Sequence, residues 1–252
     1  GLDTSYCLVN LTKDQGMEVH TVIVNTGGFS AEELKDIEAR AYELGSSKHV
    51  TIDITDKYYN DCVRYLIYGN ILKNNTYPLS VSAERMFQSI AIAQYAKDVD
   101  AEYIVHGSTG AGNDQIRFDV AFAVISPQSK IITPIRDEKL SRQQEVEYLQ
   151  ANGVNYSWEK AKYSINRGIW GTSVGGVETL TSNQALPEEA YPTQLSRTEP
   201  SVIEIEFEKG IPVGLDGEKL SPVALIQKLN EIGGEYAIGR DIHVGDTLLG
   251  LK

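Results

Sequence analysis

Residues 18–54 read EVHTVIVNTGGFSAEELKDIEARAYELGSSKHVTIDI and combine two apolar runs with one helical pattern. The first run predicts a buried strand that ends in the polar and glycine-rich residues 25–28. Ser30 and Glu33 form a capping box, which is the signal that begins a helix. A second strand follows at residues 49–54. Strand, helix and strand at this spacing predict a right-handed βαβ unit with parallel strands.

The same alternation continues to about residue 153. The pattern predicts helices at residues 55–70, at residues 82–97 and after Ser141, with strands at residues 103–105 and 130–133. In the second of these helices the positions at helical spacing, which predict its buried face, are Met86, Ile90, Ala93 and Lys97. An α/β unit with a parallel sheet follows, and such sheets bind ligands at the carboxyl ends of their strands.

A second unit, with a different composition and a different apolar pattern, begins at about residue 157. Residues 163–186 are rich in Gly, Ser and Thr. The following alternation, with Ile203, Ile205 and Phe207 inward, predicts an amphipathic antiparallel strand. Ser221 followed by Pro caps and begins a last helix. We therefore expect an α+β unit in this part of the chain.

Composition excludes several classes of protein. The 252 residues carry 23 Lys plus Arg against 35 Asp plus Glu, a formal net charge of −12. This balance argues against a non-specific nucleic-acid binder and against a polybasic membrane-surface protein. No apolar run approaches the ~18 residues that a membrane span needs.

Cysteine and histidine spacing predicts no metal site. Cys7 and Cys62 form no disulfide framework or metal set, and neither His20 nor His49 has a ligand's spacing. A reduced, cytoplasmic setting is the default for such a chain. The chain opens at Gly1 rather than Met and shows no leader, so we expect a fragment or unseen ends.

Two glycine-containing segments are candidate ligand sites. Residues 1–5, GLDTS, run into a helical stretch, where backbone N–H groups and hydroxyls suit a phosphate. A simple helix cap by Asp3 or Thr4 explains this segment equally. Residues 106–117, HGSTGAGNDQIR, follow a strand, and their glycines allow a close backbone approach. The alternative is a glycine loop capped by Asn113 with a solvated Arg117.

A third segment, residues 163–176, reads YSINRGIWGTSVGG. Its hydroxyls at Ser164 and Ser173, with Trp170 between them, suit the lining of a polar pocket. Taken alone, however, the segment is better explained as a surface turn.

Together the three segments resemble one family. GLDTS resembles the second half of the SGGLDTS pyrophosphate loop of the N-type ATP pyrophosphatases. Residues 107–118, GSTGAGNDQIRF, resemble the second signature of the argininosuccinate synthase family. YSIN at residues 163–166 and WGTS at residues 170–173 are similar to its third signature. The order and spacing agree across nearly the whole chain, which is therefore identified as a member.

The resemblance implies both a fold and a reaction. The fold is an α/β, parallel-sheet nucleotide-binding domain of the N-type ATP pyrophosphatase kind at residues 1–156, followed by an α+β synthetase domain at residues 157–252. The reaction joins citrulline and aspartate to argininosuccinate, with release of AMP and pyrophosphate through a citrullyl-adenylate, in arginine biosynthesis. ATP with Mg²⁺ on its phosphates, a cytoplasmic location and, in the complete protein, a homotetramer are also implied.

The resemblance also assigns site residues. Those expected to bind ATP are Gly1, Leu2, Asp3, Thr4, Ser5, Val24 and Gly107. Those expected to bind citrulline are Tyr77, Ser82, Asn113, Arg117, Ser164 and Ser173. Those expected to bind aspartate are Thr109, Asn113 and Asp114. Asp114 and Arg117 are the expected catalytic pair, because a carboxylate suits the ammonium group of aspartate and a guanidinium suits a carboxylate.

The chain departs from the family pattern in two places. Ala111 replaces a usual Lys, and Gly245 stands where many members carry a citrulline-binding Glu, with His243 and Asp246 as the nearest polar candidates. The first Ser-Gly of the loop and a C-terminal tail are expected outside this chain. Two alternatives stay open. A tRNA-thiolating ATP pyrophosphatase would want a basic face and paired cysteines, and a non-catalytic nucleotide-binding protein is supported only by the two departures.

Overall fold

The chain alternates helices and strands in its first part and forms hairpins in its second. A computed structural model describes residues 1–110, 112–154, 163–181 and 183–243. The first part contains α1 (Leu2–Val9), β1 (His20–Asn25), α2 (Ala31–Glu43), β2 (Lys48–Asp53), α3 (Thr55–Tyr58), α4 (Arg64–Tyr68), α5 (Ser80–Asp98), β3 (Tyr103–Val105), α6 (Asp114–Ile125), β4 (Lys130–Ile132), α7 (Pro134–Asp137) and α8 (Arg142–Ala151). The second part contains β5 (Ser164–Gly168), β6 (Gly171–Gly175), β7 (Ile205–Glu208), β8 (Ile211–Leu215), β9 (Glu218–Lys219) and α9 (Pro222–Glu235).

Two pairs of parallel strands confirm the expected α/β architecture. β1 pairs with β2 from His20 opposite Lys48 to Asn25 opposite Asp53, and β3 pairs with β4. The connecting helix α2 begins with the predicted capping box, because Ser30 Oγ accepts from the Glu33 N–H at 3.1 Å and Glu33 accepts from the Ser30 N–H at 2.8 Å. Two of the unpaired N–H donors at the start of the helix are thereby satisfied.

Small side chains let α5 and α6 pack closely beside β3. Ala93 and Ala96 of α5 and Ala121 and Phe122 of α6 form one buried cluster with Ile104. A second cluster packs α1 against α8 and the end of α2, and its buried members are Leu2, Leu8, Val9, Leu44 and Leu149. Full burial of each Leu contributes about 1.5–3 kcal/mol, so these clusters fix the helices that carry the candidate site.

The buried face of α5 is polar in the first half of the helix, contrary to the predicted stripe, of which Ala93 is the one buried member. Ser80, Glu84 and Gln88 are buried at a spacing of four residues, whereas Ile90 is 39% exposed. Burying a polar face costs free energy unless hydrogen-bond partners satisfy its polar groups. The partners lie at the end of β1 and on the first hairpin of the second part.

The second part is built from antiparallel strands. β5 and β6 form a hairpin with Ser164 opposite Gly175, and β7, β8 and β9 form a sheet. Ser221 caps α9 as predicted, its Oγ accepting from the Ala224 N–H at 3.3 Å. The inward placements of Ile203 and Phe207 are wrong, since these residues are 38% and 58% exposed. A register shift between Glu206 and Phe207 interrupts the alternation that the sequence suggested.

The proposed boundary between residues 156 and 157 lies in the segment 155–162, outside the described residues. Among the helices that the structure describes, none combines the length and apolar character of a membrane crossing. Within the same residues, no group of three or more His, Cys, Asp or Glu side chains is placed to hold a metal ion.

Candidate active site

The first two motifs meet at the start of α1. A Cβ atom on Gly107 would lie 2.7 Å from Cβ of Asp3, so only glycine lets the two segments approach this closely. The helix begins directly after Gly1 and has no side-chain cap, so the simpler explanation by an Asp3 or Thr4 cap is wrong. Its first-turn N–H groups therefore lie beside the glycine loop. The two buried members of the motif are Leu2 and Ser5.

The buried side-chain amide of Gln115 holds the glycine loop in place. Gln115 Nε2 donates to the carbonyl oxygens of Gly110 at 2.6 Å and Gly112 at 3.2 Å. Gln115 is itself 5% exposed. Thr109, one of the expected aspartate contacts, stays exposed on the loop, and Ala111 lies outside the described residues. The loop is thus fixed while its outer edge remains open to a ligand.

His106 fixes the loop at its other end and is not a catalytic base. Its Nδ1 accepts from the Ser108 N–H at 3.3 Å, so its proton lies on Nε2 and is donated to Asp119 at 2.9 Å. Arg136 also donates to Asp119 at 2.8 Å. Burial lowers the pKa of His106 despite the favourable Asp119 carboxylate. The imidazole is therefore a neutral structural bridge at neutral pH.

The expected catalytic pair lies in the first turn of α6. Arg117 Nη1 donates to Asp114 Oδ1 at 2.6 Å. The Arg117 side chain is 20% exposed, so its alternative placement on a solvated face is wrong. Asn113 occupies the N-cap position but makes no side-chain cap bond, which contradicts the simple capped-loop explanation.

The sequence did not identify Arg85, which joins the second and third motifs. Its Nε lies 3.4 Å from Asp114 Oδ2, and its Nη2 donates to Asn166 Oδ1 in the hairpin. Asn166 in turn donates from Nδ2 to Ser173 Oγ at 3.4 Å. The available signal was the polar face of α5, where Glu84, Arg85 and Gln88 follow one another within little more than one turn.

The β5–β6 hairpin docks on the loop at the end of β1. The Ile169 N–H donates to the Thr26 carbonyl at 2.9 Å, and Ile169 is 1% exposed. A Cβ atom on Gly28 would lie 2.0 Å from the Arg167 carbonyl oxygen. The Arg167 side chain pairs with Glu33 of α2. The third motif is therefore a docked hairpin rather than a surface turn.

Hairpin register places the two expected serines on one face. Ser173 lies directly opposite Asn166 in the neighbouring strand, and Ser164 lies two residues before Asn166 in the same strand. The side chains of Ser164 and Ser173 therefore project to the same side of the hairpin. Trp170 at the hairpin turn donates from Nε1 to the Pro78 carbonyl at 2.9 Å. This bond brings the hairpin to the segment that carries Tyr77.

Tyr77 and Ser82, two of the expected citrulline contacts, lie together. The Tyr77 hydroxyl accepts from the Ser82 N–H at 3.0 Å. His243 stacks on the Tyr77 ring, with centroids 4.4 Å apart and planes inclined at 20°. His243 therefore reaches the expected citrulline contacts, while Gly245 and Asp246 lie outside the described residues.

A cavity of about 300 Å³ lies between the hairpin, α5 and the β1 loop. Beside it, Gln88 Nε2 donates to the Val24 carbonyl at 3.5 Å and to Glu84 Oε1 at 2.8 Å. Thr26 Oγ1 also donates to Glu84, and burial raises the pKa of this carboxyl. The polar residues that line the cavity include Glu84, Arg85, Gln88 and Asn166.

Glu145 of α8 is a buried carboxyl under the start of α1. It is 3% exposed, and its Oε2 has no hydrogen-bond partner among the described residues. Burial and then the neighbouring Asp3 carboxyl raise the pKa of Glu145 from its ordinary 4.5 to about 7. The native state therefore binds this proton more tightly than the unfolded chain does.

Glu145→Gln is expected to stabilise the protein at pH 8 but not at pH 4. Because the native pKa is raised, the carboxyl's contribution is full below about pH 4.5 and is lost as the pH rises through about 7. Glutamine keeps the shape without the ionisation, so we expect a gain of about 1–2 kcal/mol at pH 8. Urea denaturation at both pH values measures it. The exposed neighbour Glu147→Gln is the control, and an equal gain at both pH values would contradict the assignment.

Comparison with known proteins links both parts of the chain to one family. The model of the arginosuccinate synthase N-terminal HUP domain matches residues 1–155, and that of the C-terminal domain matches residues 163–252. Over the whole chain, the curated argininosuccinate synthases of Methanocaldococcus jannaschii, Sulfurisphaera tokodaii and Dictyoglomus turgidum are 40%, 38% and 37% identical. The chain spans 64% of the length of each of these relatives.

Proposed function

Because this chain belongs to the argininosuccinate synthase family, we propose that it joins citrulline to aspartate in an ATP-dependent reaction. The products are argininosuccinate, AMP and pyrophosphate, and the intermediate is a citrullyl-adenylate. The observation that carries the proposal is the meeting of the three motifs. The first lies against the second where Asp3 approaches Gly107, and Arg85 joins the second to the third through Asp114 and Asn166. A tRNA-thiolating enzyme and a non-catalytic nucleotide-binding protein are not favoured by this family membership.

The start of α1 is proposed to hold the phosphates of ATP. Its first-turn N–H groups are directed to the amino-terminal end of the helix, and Gly107 leaves the backbone accessible there. Mg²⁺ bound to the phosphates would neutralise part of their charge. Asp3 and Glu145 supply oxygen donors of the kind Mg²⁺ prefers, and the unpartnered oxygen of Glu145 fits such an ion.

The two amino-acid substrates are proposed to meet at the start of α6. Arg117 binds the citrulline carboxylate, with Tyr77, Ser82, Asn113, Ser164 and Ser173 completing the citrulline contacts. Asp114 binds the ammonium group of aspartate, with Asn113 and Thr109 beside it. The citrulline ureido oxygen attacks the α-phosphorus, pyrophosphate leaves, and the aspartate amine then displaces AMP. The protein acts by positioning and by charge.

Arg117→Ala is expected to raise the citrulline KM by about 10–100-fold, because a charge-assisted hydrogen bond of roughly 1.5–3 kcal/mol is lost. The KM for ATP should change less than about twofold, since the start of α1 is untouched. Initial rates of pyrophosphate release measure both constants. Arg197→Ala, at a surface pair with Glu235, is the control. Equal increases in both constants would remove Arg117 from the citrulline site.

The proposed reaction is tested by measuring pyrophosphate release with each substrate omitted in turn. We expect release to require citrulline and ATP, and argininosuccinate to form only when aspartate is present. The protein should be used at its full natural length, because the chain spans only part of its relatives. ATP binding without release under any condition would favour the non-catalytic alternative.

A cytoplasmic homotetramer is the proposed state of the complete protein. Its support here is a run of large exposed apolar side chains around the end of α4, which is typical of an association surface. These side chains, between 43% and 52% exposed, are Tyr65, Tyr68, Ile71 and Leu72. Sedimentation equilibrium of the full-length protein tests the assembly.

A further inference from the structure

Asp114 contacts two guanidinium groups, those of Arg117 and Arg85, which differ in their other partners. Its Oδ1 accepts from Arg117 at 2.6 Å, and its Oδ2 lies 3.4 Å from Arg85 Nε. Under the proposed function Arg117 must also bind the citrulline carboxylate. Arg117 has further N–H donors beside the one on Asp114 for that carboxylate, and Arg85 is the second group that holds Asp114.

Arg85 is anchored independently of any substrate. Its Nη1 donates to Gln88 Oε1 at 2.5 Å, and its Nη2 donates to Asn166. Gln88 is 8% exposed and is itself fixed by Glu84. Because a guanidinium is planar and its donors have fixed directions, these two anchors also fix the Nε donor that faces Asp114.

The guanidinium of Arg85 also connects Asp114 to the β5–β6 hairpin. Its acceptor Asn166 lies opposite Ser173 and donates to the Ser173 hydroxyl. A displacement of the hairpin would thus be transmitted through Asn166 and Arg85 to Asp114. Lysine at position 85 would keep the charge, but a single ammonium on a flexible stem lacks the rigid fork that spans these acceptors.

We propose that Arg85 is a positioning residue for the second step, holding the Asp114 carboxylate toward aspartate once citrulline engages Arg117. This role rests on the proposed function. It predicts that the loss of Arg85 impairs the use of aspartate much more than the formation of the adenylate. It also predicts that Asn166 acts through Arg85 rather than by itself.

The test compares the two half-reactions in Arg85→Lys. Citrulline-dependent exchange of labelled pyrophosphate into ATP, without aspartate, reports adenylate formation. Argininosuccinate formation at varied aspartate reports the second step. We expect the aspartate KM to rise roughly tenfold or more while exchange stays within about threefold of wild type, because one positioned hydrogen bond to a charged group is lost. Arg197→Lys, at the surface pair with Glu235, is the matched control.

Asn166→Ala and the double variant complete the test. The single variant removes one anchor of Arg85, so it should raise the aspartate KM in the same direction. The double variant should be no worse than the poorer single variant, because both act through one contact chain. If Arg85→Lys does not fold, Asn166→Ala alone carries the comparison between half-reactions.

The outcomes separate the two proposals. Wild-type protein without citrulline-dependent exchange overturns the proposed function and this role with it. Normal wild-type exchange, with equal loss of both half-reactions in Arg85→Lys, overturns the positioning role alone. Additive effects of Arg85→Lys and Asn166→Ala on the aspartate KM overturn it as well.

Discussion

Asp114→Asn is expected to stop argininosuccinate formation while citrulline-dependent pyrophosphate exchange continues. Asparagine keeps the shape of the side chain but has no charge for the aspartate ammonium group. It also leaves the guanidinium groups of Arg85 and Arg117 without their shared carboxylate. Losing a hydrogen bond between the Asp114 carboxylate and a substrate ammonium group costs about 1.5–3 kcal/mol, so kcat/KM for aspartate should fall by roughly 10–150-fold.

The measurement uses the two half-reactions, each with saturating citrulline and ATP. Exchange should stay within about fivefold of wild type, since Arg117, freed from Asp114, still reaches citrulline. Asp61→Asn, which removes one carboxylate at an exposed pair with Lys57, controls for the change in net charge. Normal saturation by aspartate in Asp114→Asn would show that another group binds its ammonium.

Gly28→Ala is expected to displace the β5–β6 hairpin and lower both stability and affinity for citrulline. The added Cβ would lie 2.0 Å from the Arg167 carbonyl oxygen, a backbone atom that cannot rotate away. Relief requires moving the hairpin and losing the bond between Ile169 N–H and the Thr26 carbonyl. We expect the free energy of unfolding to fall by about 2–3 kcal/mol. The citrulline KM should rise because Ser164 and Ser173 move together.

Thermal denaturation and citrulline titration measure the two effects of this substitution. A loss of about 2–3 kcal/mol corresponds to a Tm decrease of roughly 5–10 °C in a protein of this size. Gly233→Ala, in α9 where a Cβ meets no atom within 4 Å, is the control and should be neutral or slightly stabilising. An unchanged Tm for Gly28→Ala would mean that the hairpin does not dock as described.

Local signals predicted most of the first part of the fold. The capping box of Ser30 and Glu33 and the apolar runs around it define β1, α2 and β2 within one or two residues. Ser141 caps α8 in the same way. Such features depend on neighbours a few residues apart, so the sequence displays them directly.

The arrangement of the site depended on contacts that the sequence does not display. Ile90 follows the helical apolar spacing yet is 39% exposed, because the buried side of α5 meets polar groups of the β1 loop and the hairpin. Arg85 has no motif of its own, and its role appears only when Asp114 and Asn166 are placed beside it. The motifs named the expected substrate contacts, and packing revealed what holds those side chains.

The docking of the β5–β6 hairpin also determines the order in which parts of the site form during synthesis. Arg167 pairs with Glu33, which lies 134 residues earlier in the chain. The loop after β1 therefore leaves the ribosome well before the β5–β6 hairpin that docks on it has been synthesised. At about 5–20 residues per second, that interval is roughly 7–27 seconds. A nascent chain therefore exposes the loop after β1 until the hairpin has been synthesised. We expect the proposed activity to appear only late in translation.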